Sequence, residues 1–156
     1  GDRKTTPESG RNRTMQTDRI SERFGPVSDV VFRVLFSLIF VVAGAGHFFE
    51  RDTMLARLDA APLGHLASLF GPPEQLMLAS GIVLVVGGVA LAAGLVTRVA
   101  AVALFVTLIP ITLTVHVGDP GHIGPLFKNV ALLGGLVHFA VRGPGAAAID
   151  ARWKRR

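Results

Sequence analysis

No cysteine occurs among the 156 residues. That absence excludes disulfide relay, thiol nucleophiles, thiolate metal sites and iron–sulfur ligation, whichever compartment the loops face. Any redox role must therefore take its electrons from a bound cofactor, and neither haem nor an iron–sulfur group is expected. The chain also lacks a long polar stretch away from its ends, which leaves room for one folded unit and excludes a second. Charge is sparse, at 17 % of residues, and the formal net charge of +5 does not point to nucleic acid. Most of the basic residues lie in the two termini, where membrane proteins concentrate them for reasons of topology.

What the chain has in abundance is apolar sequence. Segments Val30–Phe49, Gln75–Val96, Val99–Val117 and Phe127–Val141 interrupt it, and three of these approach the ~20 residues that cross a ~30 Å hydrocarbon layer as a helix. In lipid every backbone N–H and C=O needs a partner within the protein, so such runs form helices packed together. The expected fold is all-α, an integral membrane antiparallel four-helix bundle. It divides into a polar N-terminal tail (1–28), expected to be disordered in part, a transmembrane domain (29–145) and a basic tail (146–156). The first apolar run exceeds the core of a signal peptide and lacks a small-x-small cleavage site, so it is read as a retained span. Residues 1–14 are polar and precede Met15, so no function is assigned to them.

The positive residues set the orientation. Arg33, Arg98, Arg142, Arg152, Lys154, Arg155 and Arg156 join the N-terminal arginines on one face, against only Arg51, Arg57 and Lys128 on the other. The positive-inside rule then puts both termini in the cytoplasm, and the seven residues just named are expected to anchor lipid headgroups. Arg33 reads as a snorkelling side chain; an ion pair with Asp29 on the same helix face is the second reading.

Punctuation marks the rest. Asp18–Gly25 reads as a short interfacial turn closed by Gly25-Pro26, with Ser28 capping the first span. Segment Glu50–Pro73 is too polar to cross, yet Met54, Leu55, Leu58, Leu63, Leu66, Leu69 and Phe70 recur at helical spacing. It is expected to form a lid of two short helices, broken at Pro62 and Gly64 and ended by Gly71-Pro72-Pro73. Gly81, Gly87, Gly88 and Gly94 offer small-residue strips for close helix packing, and Pro110 is expected to kink the third span because it leaves the carbonyl of Val106 without its amide partner.

Four crossings bring the end of span one, the start of two, the end of three and the start of four to one face. His47, Glu74, Thr112, His116, Lys128 and Asn129 all belong to those ends and form the candidate polar pocket, because ionisable groups at membrane depth face the bundle interior or an aqueous cavity. In such a pocket Glu74 accepts protons, Lys128 stabilises charge, and His47 or His116 relays protons to a quinone-like head group. The plainer alternative makes Glu74–Lys128 an ion pair that fixes helix order and leaves His47, Glu50 and His122 solvated. No metal site is expected, since His47, His116, His122 and Glu74 have ligand chemistry without ligand spacing. His138, deeper along the fourth span, is expected to hydrogen-bond a neighbouring helix.

One set of residues resembles a known family. Gly44-Ala45-Gly46-His47-Phe48-Phe49, Glu74 leading into Ser80-Gly81 and Gly87-Gly88, Gly94-Leu95-Val96-Thr97-Arg98, Thr114-Val115-His116, Phe127-Lys128-Asn129, Leu132-Leu133-Gly134-Gly135 and Gly143-Pro144-Gly145 before Ile149-Asp150 follow, in order, the pattern of the DoxX family. Where that family often shows Ser-Leu-Asp after Gly-Pro-Gly, this chain has Ala148-Ile149-Asp150 and keeps only the aspartate. The resemblance implies a four-helix inner-membrane protein, in a family that includes the small membrane subunit of a thiosulfate:quinone oxidoreductase and proteins of oxidative-stress defence. It supplies no agreed catalytic set.

Three functions compete at this level. The first is an accessory or quinone-facing subunit of a membrane oxidoreductase, with a quinone as the candidate cofactor and an oxidoreductase as partner. The second is a non-catalytic scaffold that docks a partner protein through the basic tail or the lid. The third is a small-solute transporter, for which four spans are few without oligomerisation into a homo-oligomer.

Overall fold

The computed structural model describes residues 8–145 and 148–150, with side chains from Glu22 onward. Among the described residues five α-helices follow one another: α1 (Glu8–Phe49), α2 (Arg51–Ala60), α3 (Pro73–Ala93), α4 (Thr97–Ile111) and α5 (Ile123–Arg142). A 3-10 helix, Gly64–Leu69, lies between α2 and α3, and a π-helical turn, Thr112–His116, prolongs α4. Four stretches are long and apolar enough to cross a membrane: Glu22–Phe49, Pro73–Ala93, Thr97–His116 and Pro120–Arg142.

The outside of the bundle is its apolar side. On α1, Val31, Leu35, Leu38 and Val42 recur at i, i+4, i+7 and i+11 and are exposed, whereas Arg33, Ser37 and Phe40, at the same spacing, are buried. Exposed Val86 and Val89 on α3, Val99, Val102 and Val106 on α4, and Val130, Val137 and Val141 on α5 continue the apolar belt. A belt of this extent in contact with water would drive association; in hydrocarbon it is the solvent-facing surface. The chain is a multi-pass membrane protein, an antiparallel bundle of four membrane-crossing helices.

Lipid tails give little hydrophobic drive for helix association, so close packing has to hold the bundle. Helix α1 packs chiefly on α3, and α4 lies between α3 and α5. The two glycine strips divide the work: a Cβ on Gly81 would sit 2.9 Å from His47 Cβ and one on Gly88 2.9 Å from Val41 Cγ2, both on α1, while one on Gly87 would sit 3.0 Å from the Leu104 side chain on α4. Opposite them, a Cβ on Gly44 would come within 2.9 Å of the Gly81 carbonyl. Between α1 and α5, rings make the contact. Phe32 stacks on Phe139 at 5.4 Å, Phe36 lies against Phe139 and fills the space left open at Gly135, and Phe40 continues the row.

Three expectations about local structure are corrected. Helix α1 runs unbroken through Gly25-Pro26 instead of pausing in a turn over 18–25, because a proline removes only its own N–H and clashes with one carbonyl, a loss a long helix absorbs. Ser28 accordingly does not cap; its hydroxyl donates 2.9 Å back to the Gly25 carbonyl within the helix. His138 makes no interhelical hydrogen bond; its ring meets Phe139 and Phe32 edge-on at 5.7 and 6.3 Å. Pro110 lies inside α4, and a π-helical turn follows just beyond it.

The Arg33 end of the bundle is tied by polar contacts. Arg33 is 3 % exposed, where a lipid-facing anchor was expected. Its Nε donates to the Ala92 carbonyl at 3.1 Å and its guanidinium to the Pro144 carbonyl at 2.6 Å, with Asp29 and Asp150 as countercharges. The Asp150 carboxylate accepts from the Val96 and Thr97 amides, at 2.8 and 2.9 Å, and caps α4. Arg98 and Arg142 are exposed at this end, as headgroup anchoring requires, whereas Arg152, Lys154, Arg155 and Arg156 lie outside the described residues.

Candidate functional site

At the opposite end, the segment between α1 and α3 folds over the mouth of the bundle. Helix α2 stops at Ala60, Pro62 follows, and Gly64 passes so close to the Leu58 carbonyl that a Cβ there would overlap it, which fixes the break where the sequence put it. The 3-10 helix then leads through Gly71-Pro72 to α3, which starts on Pro73 at a position suited to a missing N–H. Leu69 and Phe70 stand exposed on this lid, in keeping with an interfacial position.

Beneath the lid lies a cavity of about 600 Å³. Ile39, Phe40, Leu84, Leu108 and Leu132 line its depth, Met54, Leu58, Ala67 and Phe70 come from the lid, and Arg57 on the lid with His47, Ser80, Thr114, His116, His122, Lys128 and Asn129 supply its polar groups. The volume falls within the range of small-molecule sites, roughly 300–1,000 Å³, and so does the pattern of an apolar body with a few polar groups.

His47, His122 and Asn129 are each held by a hydrogen bond. His47 Nδ1 lies 3.0 Å from the Met77 carbonyl and 3.1 Å from Ser80 Oγ, while the Ser80 hydroxyl donates to that same carbonyl at 2.9 Å. A carbonyl only accepts, so Nδ1 carries the proton. His122 Nδ1 likewise donates to the Val115 carbonyl at 3.1 Å, with an Asp119 carboxylate oxygen at 3.4 Å. Asn129, 3 % exposed, donates through its amide nitrogen to Thr112 Oγ1 at 3.0 Å, because the Thr112 hydroxyl is itself spent on the Leu108 carbonyl at 2.6 Å. The π-helical turn turns His116 onto His122, ring centres 5.2 Å apart and edge to face, with His116 Nδ1 buried and without a hydrogen-bond partner.

Four of the six expected pocket residues, His47, His116, Lys128 and Asn129, therefore line one cavity. Thr112 stands behind Asn129 and holds it. Glu74 is not in the cavity wall: it forms an ion pair with Arg51 at the start of α2, and its side chain is 57 % exposed. The expected Glu74–Lys128 pairing is thus replaced, because α2 begins directly after α1 and carries Arg51 to the first turn of α3. Ser80 was missed as a site residue, because among glycines it reads as a packing residue, and His122, which the sequence places at this same mouth, joins the pocket. Among the described residues no group of three His, Asp or Glu side chains is placed to hold a metal ion.

Comparison with known proteins bears on the first three crossing helices. The DoxX family model matches residues 28–117, more than half of the chain. The chain belongs to the DoxX family. No curated protein and no solved structure matches it. The DoxX match takes in His47, Ser80 and His116 and ends before His122, Lys128 and Asn129, so the α5 side of the cavity rests on this chain's own geometry.

Proposed function

We propose that this DoxX-family protein is a quinone-facing accessory subunit of a membrane oxidoreductase system, in a bacterial-type inner membrane with both termini cytoplasmic. The observation that carries this reading is the meeting of His47, His116, His122, Lys128 and Asn129 in one largely apolar cavity at the end of a membrane bundle. A quinone has the matching anatomy: an apolar ring and tail for the walls, and two oxygens at which protons are exchanged. In this reading Lys128 donates to one ligand oxygen, the histidines exchange protons at the other, and the lid limits water access. A chain without cysteine carries no electron relay of its own, so in this reading the partner is the electron donor and the bound head group the acceptor, while the protein supplies the cavity and the protons.

The test is mass spectrometry of the full chain purified in native-lipid particles. Wild-type protein is expected to carry a quinone. Lys128→Ala and Asn129→Leu are expected to lower its retention about tenfold or more, the effect of losing one hydrogen bond to a charged or buried group. Glu74→Ala, outside the cavity, is expected to leave retention unchanged. Wild-type protein that carries no quinone and takes none up would overturn the reading.

A further inference from the structure

We infer that the cavity is loaded from the membrane: it opens sideways between α1 and α5, past Ala43 and Lys128, so that a lipid-dissolved amphiphile enters head first while its tail stays in hydrocarbon. The inference goes beyond the quinone reading, because it concerns the route and holds for any head group the cavity accepts.

The opening follows from how the crossing helices pair. Helix α1 packs on α3 and α5 packs on α4, but among the described residues no comparable backbone packing joins α1 to α5. Near the Arg33 end side chains fill the gap between them, with Phe32 stacked on Phe139 and Phe36 lying against Phe139 and Gly135. Toward the lid the row ends at Phe40. Beyond it the two helices present Ile39, Ala43 and His47 on one side and Pro125, Lys128 and Leu132 on the other, and all six line the cavity.

A side chain that lines a cavity and is also exposed marks a place where the cavity meets its surroundings. Ala43 and Lys128 are exposed, whereas Phe40 and Asn129, their neighbours in the same wall, are buried. Ala43 lies six residues before Phe49, the last residue of α1, which puts it about 9 Å below the helix end. Val42 beside it is 64 % exposed on the apolar belt, so at this depth the surroundings are hydrocarbon. A methyl side chain keeps this edge open, and on the facing edge Lys128 offers a cation to the entering head group. A tail that remains in lipid is never exposed to water on this route. The competing route runs from the aqueous side past Arg57 and Phe70, the exposed wall residues of the lid.

The chain has no cysteine, so Ser80→Cys places a single thiol in the cavity wall. The full chain in lipid nanodiscs is treated, at mildly alkaline pH where part of the thiol is ionised, with N-hexadecylmaleimide, which resides in the bilayer, or with a sulfonated maleimide confined to water. The tailed reagent is expected to label position 80. Adding Ala43→Trp is expected to slow that labelling at least about tenfold, equivalent to about 1.4 kcal/mol on the barrier to entry, and to leave the water-borne reagent unchanged. Val42→Trp, on the same helix but outside the cavity wall, is expected to change neither rate. Should Ala43→Trp not fold, Ala43→Leu carries the same test with a smaller slowing. No labelling by the tailed reagent, or labelling that substitutions at 43 and 42 slow alike or not at all, overturns the inference. Retention of a quinone by the purified protein is a separate measurement, so failure of the route and failure of the quinone reading are told apart.

Discussion

A guanidinium carries five N–H donors and does not give up its charge, so Arg33 can be buried only because the surroundings answer it. The Ala92 and Pro144 carbonyls take its hydrogen bonds, and Asp29 and Asp150 balance its charge. Arg33→Met is therefore expected to destabilise the bundle by about 3 kcal/mol, since two carbonyls and two carboxylates lose their partner together. Thermal unfolding in detergent measures it; a lipid anchor at this position would give a change near zero. The sequence reading of Arg33 as a snorkelling side chain followed from hydropathy alone, which sees an arginine near a span end. The contacts that answer it include residues 92, 144 and 150, remote in sequence, and only the ordered Gly-Pro-Gly and aspartate near the C-terminus hinted at them. Glu74 was misplaced for a related reason. Topology named the correct end of the bundle but could not choose between Lys128 and Arg51 as its partner.

At the scale of helices, the glycines separate into those that touch a neighbour and those that do not. Gly134 and Gly135 stand side by side on α5: a Cβ on Gly134 meets nothing within 4 Å, whereas one on Gly135 would overlap the Phe36 ring. Gly135→Ala is expected to cost about 1–3 kcal/mol through overpacking. Gly134→Ala is expected to be neutral or to stabilise by up to about 1 kcal/mol, as the better helix former. Parallel unfolding curves of the two variants check this, and equal effects would contradict the packing of α1 on α5. Helix existence was legible throughout because the apolar runs are long, and the lid was legible because Pro62, Gly64 and Gly71-Pro72-Pro73 act locally. The path of α1 through Pro26 was not, since a Gly-Pro pair marks a turn in a short segment and a tolerated defect in a long helix. The π-helical turn that aims His116 was foreshadowed by Pro110, though its form depends on packing against α5 and the lid.

For the whole molecule, function rests on helix ends far apart in sequence opening at one mouth. The candidate site was legible to the extent that topology could supply it: four of the six pocket residues share a cavity, while the orientations of the His47 and His122 rings are set by backbone carbonyls that no pattern in the sequence reveals. A chain without native cysteine makes the most direct measurement clean. Single cysteines at Asp52 in the lid, Pro120 before α5 and Leu95 between α3 and α4 are labelled in intact cells and in inverted vesicles with a membrane-impermeant maleimide. Positions 52 and 120 are expected to react from one side and position 95 only from the other. Labelling of 52 and 120 from opposite sides would contradict the account, because the lid and the α5 end of the cavity would then never meet.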